Sequence, residues 1–287
     1  MTGSPGIHAM TIDVEDWYQS TIDANASISD RFVASTERVL EMLQEQGVRG
    51  TFFVLGLAAE KAPHLVRRIA EAGHEVQSHG YGHQEVFKLT RQQFHDDVVR
   101  ARSLLEDLAG REVVGYRAPS FSIDERTPWA WDVLAETGHQ YDSSVFPIKM
   151  RRYGIDNYPA GPHIVSTPAG RKIVEAPVAF FTLLGRRMPC AGGGYVRLLP
   201  RAVLRAAWRQ IDRSGRPGIL YMHPYEYDPS ELSQHSSSVS VWRRLHQGIG
   251  RKGFPGKIKM LVQTLKFSCL AEVLSPWLRE LTCESPS

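Results

Sequence analysis

Residues 8–16 read HAMTIDVED, an apolar run that closes on three carboxylates, Asp13, Glu15 and Asp16. The run has the look of a buried strand, so the charges stand at its C-terminal end. The same arrangement returns along the chain. GTFFVLG (50–56), EVQSHG (75–80), VVGYRAP (113–119), QYDSSV (140–145) and PGILYMHPYEYDP (217–229) all read as apolar strands followed by polar residues. Between them lie helical patterns. TERVLEMLQEQGV (36–48) carries Val39, Leu40, Leu43 and Val48 at helical spacing and ends at Gly47. APHLVRRIAEAGH (62–74) has Pro63 in its first turn and Gly73 after its end. A long amphipathic helix runs from Thr90 to Gly110, and PWAWDVLAETGH (128–139) predicts another. Strands apolar on both faces that alternate with helices belong in a parallel sheet covered by helices. In a barrel of this kind the C-terminal strand edge carries the site.

Residues 150–200 depart from this rhythm. They are rich in Pro, Gly and Arg and read as an excursion with short strands. CAGGGYVRLLP (190–200) is a Gly-rich loop that leads into a helix over 200–215. The tail holds a Ser-rich loop at Ser236–Ser238, a basic loop, and an apparent helical stretch over 257–274.

Bulk properties exclude several classes. At 287 residues, 42% hydrophobic and 23% charged, the chain can build an ordinary soluble core. A net charge of +3 without a dense Lys/Arg cluster argues against nucleic acid. Cys190, Cys269 and Cys283 are far apart with no CxxC pair, which argues against a zinc–thiolate site or a disulfide framework and fits a reducing compartment. No apolar run of about 18 residues is present, so no membrane span is expected. The N-terminal residues lack a basic region before an apolar one, so the expected location is the cytoplasm.

Four strand ends carry groups suited to chemistry. His79 and His83 are four apart, close enough on one turn to share a divalent ion. Two imidazoles and a carboxylate leave room for water and substrate, and a second carboxylate can serve as base. The DVED stretch supplies both kinds of carboxylate. Arg117 can orient a catalytic Asp through a bidentate pair. His223, before Pro224, is placed to act as a general acid, and Asp142 could orient its imidazole. Each cluster alone has an ordinary structural explanation; four at four strand ends together point to a site.

These residues resemble the motifs of the polysaccharide deacetylases, the NodB-homology group or carbohydrate esterase family 4. The resemblance rests on TIDVED, HGYGH, RAP, YDSS and YMH in that order, over residues 8–225. It is closer still to a subgroup tied to exopolysaccharide clusters and the exosortase system, through DVEDWYQ, EAPV, GGGYVRLLP, YMHPYEYDP and HQGIGRKGFPGKI. The resemblance implies a distorted (β/α)7-type barrel and a divalent ion, zinc with cobalt or nickel as alternatives. It implies an acetylated glycan as substrate and release of its acetyl groups, N-acetyl before O-acetyl, beside the polysaccharide synthesis machinery. Residues 1–287 would form one such domain, with a core over 8–228 and an extension over 229–287 packed on the barrel.

The resemblance also implies roles. Asp13 matches the base, His79 and His83 the metal ligands, Arg117 the tether of the base, His223 the acid, and Asp142 the support of that acid. Val14 stands where the family often has the ligand carboxylate. Glu15 is the favoured third ligand, because alternation along a strand puts it on the side of Asp13. Asp16 is the alternate, should a turn begin at Val14. Gly80 replaces a hydroxyl residue that would steady the histidine loop. Phe121 and Phe146 are candidates to line an acetyl pocket, and Trp17 and Tyr18 either stack on a sugar or belong to the core. A ring amidase of the same fold and a catalytically idle glycan-binding protein are the rival readings.

Overall fold

Strand β1 (Ile7–Val14) presents two faces to two different layers. Met10, Ile12 and Val14 join one large apolar cluster, while Ala9 joins a second one with Phe53, Ile219 and Tyr221. Thr11 and Asp13 share the phase of Ala9, so a carboxylate is carried to the inner side of the sheet.

The structure, a computed structural model, describes residues 6–234 and 239–283. After β1 come α1 (Trp17–Thr21), α2 (Arg31–Gln46), β2 (Thr51–Val54), α3 (Gly56–Lys61), α4 (Pro63–Glu71) and β3 (Glu75–Ser78). Next are α5 (Arg91–Ala109), β4 (Gly115–Tyr116), α6 (Ala130–Glu136), β5 (Tyr141–Asp142), β6 (His163–Ser166), β7 (Lys172–Glu175), β8 (Phe180–Leu183) and β9 (Arg186–Pro189). The chain then forms α7 (Gly193–Leu198), α8 (Arg201–Arg213), β10 (Ile219–Met222), α9 (Glu231–Gln234), α10 (Val241–Gly248), α11 (Phe254–Thr264), β11 (Lys266–Ser268) and α12 (Leu270–Cys283).

Helix limits follow local chemistry. Thr90 caps α5 with a reciprocal bond to Gln93, and Gly110 closes it in the left-handed region at φ 63°. Gly47 closes α2 in the same way at φ 62°.

The main sheet has the order β10-β1-β2-β3-β4-β5-β7-β6, with β11 also paired to β1. All its pairings are parallel except β6 with β7. The α/β class with a helix-covered parallel sheet is therefore as expected. Among the described residues the named strands form an open path, and Ala179, just past β7, donates its N–H to Ile219 O of β10 at 3.1 Å. None of the described helices is long and apolar enough to cross a membrane.

Two readings are corrected. Residues 172–175 are not part of a mere excursion: β7 lies in the main sheet beside β5, with Ile173 and Val174 fully buried. The stretch 257–274 is not one helix, because Lys266–Ser268 pair with Ile7–Ala9. Phe267 there packs against His8 and Trp208 at ring separations of 5.5 Å, and tertiary packing overrides helical propensity. The Ser-rich loop at 236–238 lies outside the described residues.

Candidate active site

A cavity of about 240 Å³ opens at the C-terminal ends of the strands, lined by Asp13, Glu15, His79, His83, Phe121, Tyr221 and His223 among others. It runs into a groove of about 440 Å³. The two share Ser20, Thr21, His83, Glu85, Ser120 and Arg152, and the groove continues along residues 22–25 to Lys88.

Glu15, His79 and His83 come together here, with one ligand atom from each lying within 4.8 Å of the others. Glu15 Oε2 is 2.7 Å from His83 Nε2 and 3.4 Å from His79 Nε2. That oxygen is buried and accepts no hydrogen bond. Burial pushes the Glu15 carboxyl up, but His83 and His79 outweigh it and hold it well below the usual carboxylate range. His79 Nδ1 lies 2.8 Å from Arg117 O; as donor to that carbonyl it leaves Nε2 free as a ligand atom. Two nitrogens and an orphaned anionic oxygen form a donor set that fits zinc, cobalt or nickel.

The loop that delivers both histidines is sharply bent, with Gly80 at φ 74° and His83 at φ 57°. The hydroxyl missing at Gly80 is replaced by a group the sequence did not flag. Asp97 of α5 accepts from the N–H groups of Tyr81 at 2.8 Å and Gly82 at 3.2 Å. A Cβ on Gly80 would lie 2.9 Å from Asp97 Oδ2. Only spacing along α5 could have hinted at this contact, since Asp97 is one of several polar residues on that helix.

Asp13 sits beside the trio. Arg117, wholly buried, donates from Nη1 to Asp13 Oδ1 at 2.8 Å and to Thr11 Oγ1 at 2.7 Å. Its Nε and Nη2 hold Ser143 O and Ser143 Oγ, at 3.0 and 2.8 Å. The guanidinium lies 4.3 Å above the Phe53 ring. On the other wall, His223 Nε2 is 3.7 Å from Glu15 Oε1 and 4.0 Å from Asp13 Oδ2. Burial opposes its charge, but Glu226, Glu15 and Asp13 around it raise its pKa to about 9.

Other candidates fall elsewhere. Asp16 does not face the histidines: it caps α1, accepting from Tyr18 and Gln19 N–H at 3.0 Å, and also binds the backbone and hydroxyl of Ser29. Asp142 does not touch His223. It accepts from Trp131 Nε1 at 2.9 Å and from Ser144 Oγ, beside Glu175. Burial raises the Asp142 carboxyl, and burial with Asp142 nearby raises Glu175 well above its usual range. The partner of His223 is Glu226, unnoticed in the sequence although it lies one turn away in YMHPYEYDP. Trp17 is 1% exposed and packs with Tyr225, Leu232 and Val239, so it is a core residue. Phe121 lines the cavity and Phe146 stands behind it at a ring separation of 5.8 Å. In the loops that follow β4 and β5, the N–H groups of Arg117, Ala118, Phe121, Ser122, Ser143 and Val145 donate within the protein.

Residues 16–141 match the polysaccharide deacetylase family, and residues 143–275 match a domain of unknown function, DUF3473. A peptidoglycan-N-acetylglucosamine deacetylase of Bacillus cereus is 33% identical over 96 residues, 33% of this chain and 35% of that protein. A peptidoglycan deacetylase of Helicobacter pylori is 31% identical over 108 residues, 38% of this chain and 36% of that one. The match thus spans about a third of the length of these curated relatives. In fold, the chain is similar to a Mycobacterium smegmatis protein described as a polysaccharide deacetylase, with a TM-score of 0.62 and 24% identity over 99% of this chain and 93% of that one. It is also similar to Puue allantoinase, with a TM-score of 0.60 and 16% identity over 100% of this chain and 94% of that one. Through residues 16–141, the chain is similar to the polysaccharide deacetylases.

Proposed function

We propose that the protein is a metal-dependent hydrolase that removes N-acetyl groups from a glycan of exopolysaccharide or cell-surface polysaccharide synthesis. One observation carries the reading: a carboxylate clamped by a buried arginine and a histidine line one cavity with a Glu/His/His trio. The match of residues 16–141 to the deacetylase family and the deacetylase names of the curated relatives agree with it. The groove that extends the cavity suits a chain of sugars better than a small ring. The exopolysaccharide setting rests on the subgroup resemblance of residues such as 192–200 and 246–258, which lie within the region of unknown function.

Glu15, His79 and His83 would hold the ion, zinc in the first instance. A divalent ion there supplies Lewis acidity that polarises an acetyl carbonyl and eases deprotonation of water. The remaining work falls to side chains. Asp13 Oδ2 takes the proton of the attacking water, while Arg117 fixes the other oxygen. His223 Nε2 gives a proton to the departing amine, which cannot leave as an anion. Phe121 and Tyr221 offer an apolar wall for the acetyl methyl.

Acetate release from N-acetylated glucosamine oligomers tests the reading. The wild type should release acetate, and a chelator should stop it until zinc, cobalt or nickel is restored. Asp13→Asn should lose the activity by at least about 100-fold while binding metal as before. Hydrolysis of allantoin without acetate release would instead favour the ring amidase, and metal binding without any hydrolysis the idle glycan binder.

A further inference from the structure

We infer that Arg197 and Glu226 are the positioning pair of His223, so that the region of unknown function sets the direction of the acid as well as supplying it. This rests on the deacetylase reading. Glu226 is 2% exposed and Arg197 9% exposed, and Arg197 Nε donates to Glu226 Oε1 at 3.1 Å. Glu226 Oε2 accepts from the backbone N–H of His223 at 3.1 Å and lies 3.7 Å from its Nδ1. One carboxylate therefore holds both the backbone and one edge of the imidazole. The opposite edge, Nε2, is thereby aimed into the cavity toward Asp13 and Glu15.

The remaining surroundings restrict the ring further. Tyr225 stacks on His223 with centroids 4.8 Å apart and planes 10° from parallel, and Tyr221 meets it edge-on at 5.9 Å. Stacking fixes the plane of the ring but not which edge faces the cavity, since a half-turn about Cβ–Cγ keeps that plane. The charged edge contact with Glu226 removes that freedom. An isolated buried carboxylate would be costly, and Arg197 compensates it. Arg197 is itself anchored, donating from Nη1 to Gln247 O at 2.5 Å and Ile249 O at 3.1 Å around the end of α10.

The same carboxylate explains Gly193, and the Tyr221 ring explains Gly192 before it. A Cβ on Gly193 would lie 1.5 Å from Glu226 Oε2, and one on Gly192 would lie 2.3 Å from the Tyr221 hydroxyl. Neither glycine has a positive φ, so it is space that demands them. The backbone of the Gly-rich loop passes through the volume that the carboxylate fills. Gly193→Ala would therefore displace Glu226 while keeping its charge.

Two substrates separate positioning from general damage. An N-acetyl glucosamine oligomer has an amine leaving group that must be protonated, whereas 4-nitrophenyl acetate expels a phenolate that need not be. Glu226→Gln should lower kcat on the oligomer about 100-fold with KM within about threefold. Turnover of 4-nitrophenyl acetate should stay within about threefold of wild type. Gly193→Ala should show the same split, and it serves as the second variant if Glu226→Gln fails to fold. An equal loss on both substrates, or a change confined to KM, overturns the inference. A readout without activity is the set of nuclear Overhauser contacts between the His223 and Tyr225 rings in the metal-free protein. In Glu226→Gln their distribution between the two His223 ring protons should change while the rest of the spectrum is kept, and unaltered contacts would also overturn it. If the wild type releases no acetate from any glycan, the deacetylase reading fails, and the ring contacts alone decide the positioning.

Discussion

Asp16 accepts four hydrogen bonds, two within the first turn of α1 and two from Ser29, while Oε2 of its neighbour Glu15 faces the two imidazoles. Substitution should separate them. Asp16→Ala should cost about 2 kcal/mol of stability through the lost cap and the Ser29 contacts, with one ion still bound per chain. Glu15→Ala should lose tight metal binding with a smaller effect on the metal-free protein. Calorimetric titration and denaturant unfolding measure both, and an Asp16→Ala protein that cannot bind metal would contradict the assignment. Strand alternation was enough to pair Asp13 with Glu15 before any coordinates, because that rule is local. The link from Asp142 to His223 was not legible because it depends on side-chain packing: Asp142 turns to Trp131 and Ser144. Glu226 was legible in principle, three residues from His223, but its value depends on a turn that only the fold fixes. His139 makes a different prediction. It is buried beside Arg102, its Nδ1 meets Thr137 Oγ1 at 3.0 Å, and its Nε2 has no partner. Burial, with Arg102, depresses its pKa from 6.5 to about 3. The unfolded chain thus takes up a proton that the native state refuses. The native advantage is complete above pH 6.5 and is lost at up to about 1.4 kcal/mol per pH unit as pH falls toward 3. His139→Gln should unfold with a shallower dependence on pH across that window, and parallel curves for both proteins would refute the claim.

At the level of elements, the loop between β3 and α5 depends on a helix that never reaches the cavity. Asp97 holds the Tyr81 and Gly82 amides and so sets where His79 and His83 point. Asp97→Asn should therefore weaken metal affinity by about tenfold or more without unfolding the protein. Competition against a chelating dye would show it, and an unchanged affinity would mean that the loop holds its own shape. The helices were the most legible elements, since α5 carries its own start at Thr90 and stop at Gly110, and α4 its Pro63. The short strands were less so. Within β7 and β11 only a few residues are apolar, and their sequence neighbours suit other structures equally well. What makes them strands is an edge elsewhere in the molecule that accepts their hydrogen bonds.

For the molecule as a whole, the ligand trio joins a strand end to a distant loop, so an ion bound there favours the folded state by mass action. Zinc at 100 times its dissociation constant should add about 2.7 kcal/mol, and a chelator should lower Tm correspondingly. A Tm indifferent to both would argue against the site. One feature of the sheet also bears on how the protein is made. Strand β1 pairs with β2, which follows soon after it, but also with β10 and β11, which begin only at Ile219 and Lys266. At ribosomal rates of about 5–20 residues per second, β1 waits on the order of ten seconds or more for those partners. During that interval its apolar residues and unpaired backbone are open to wrong neighbours. Glu15, His79 and His83 are all translated early, yet the strand that leads into the first of them is clamped only when the last part of the chain arrives. A nascent chain stalled before β10 would carry every ligand with β1 paired only to β2.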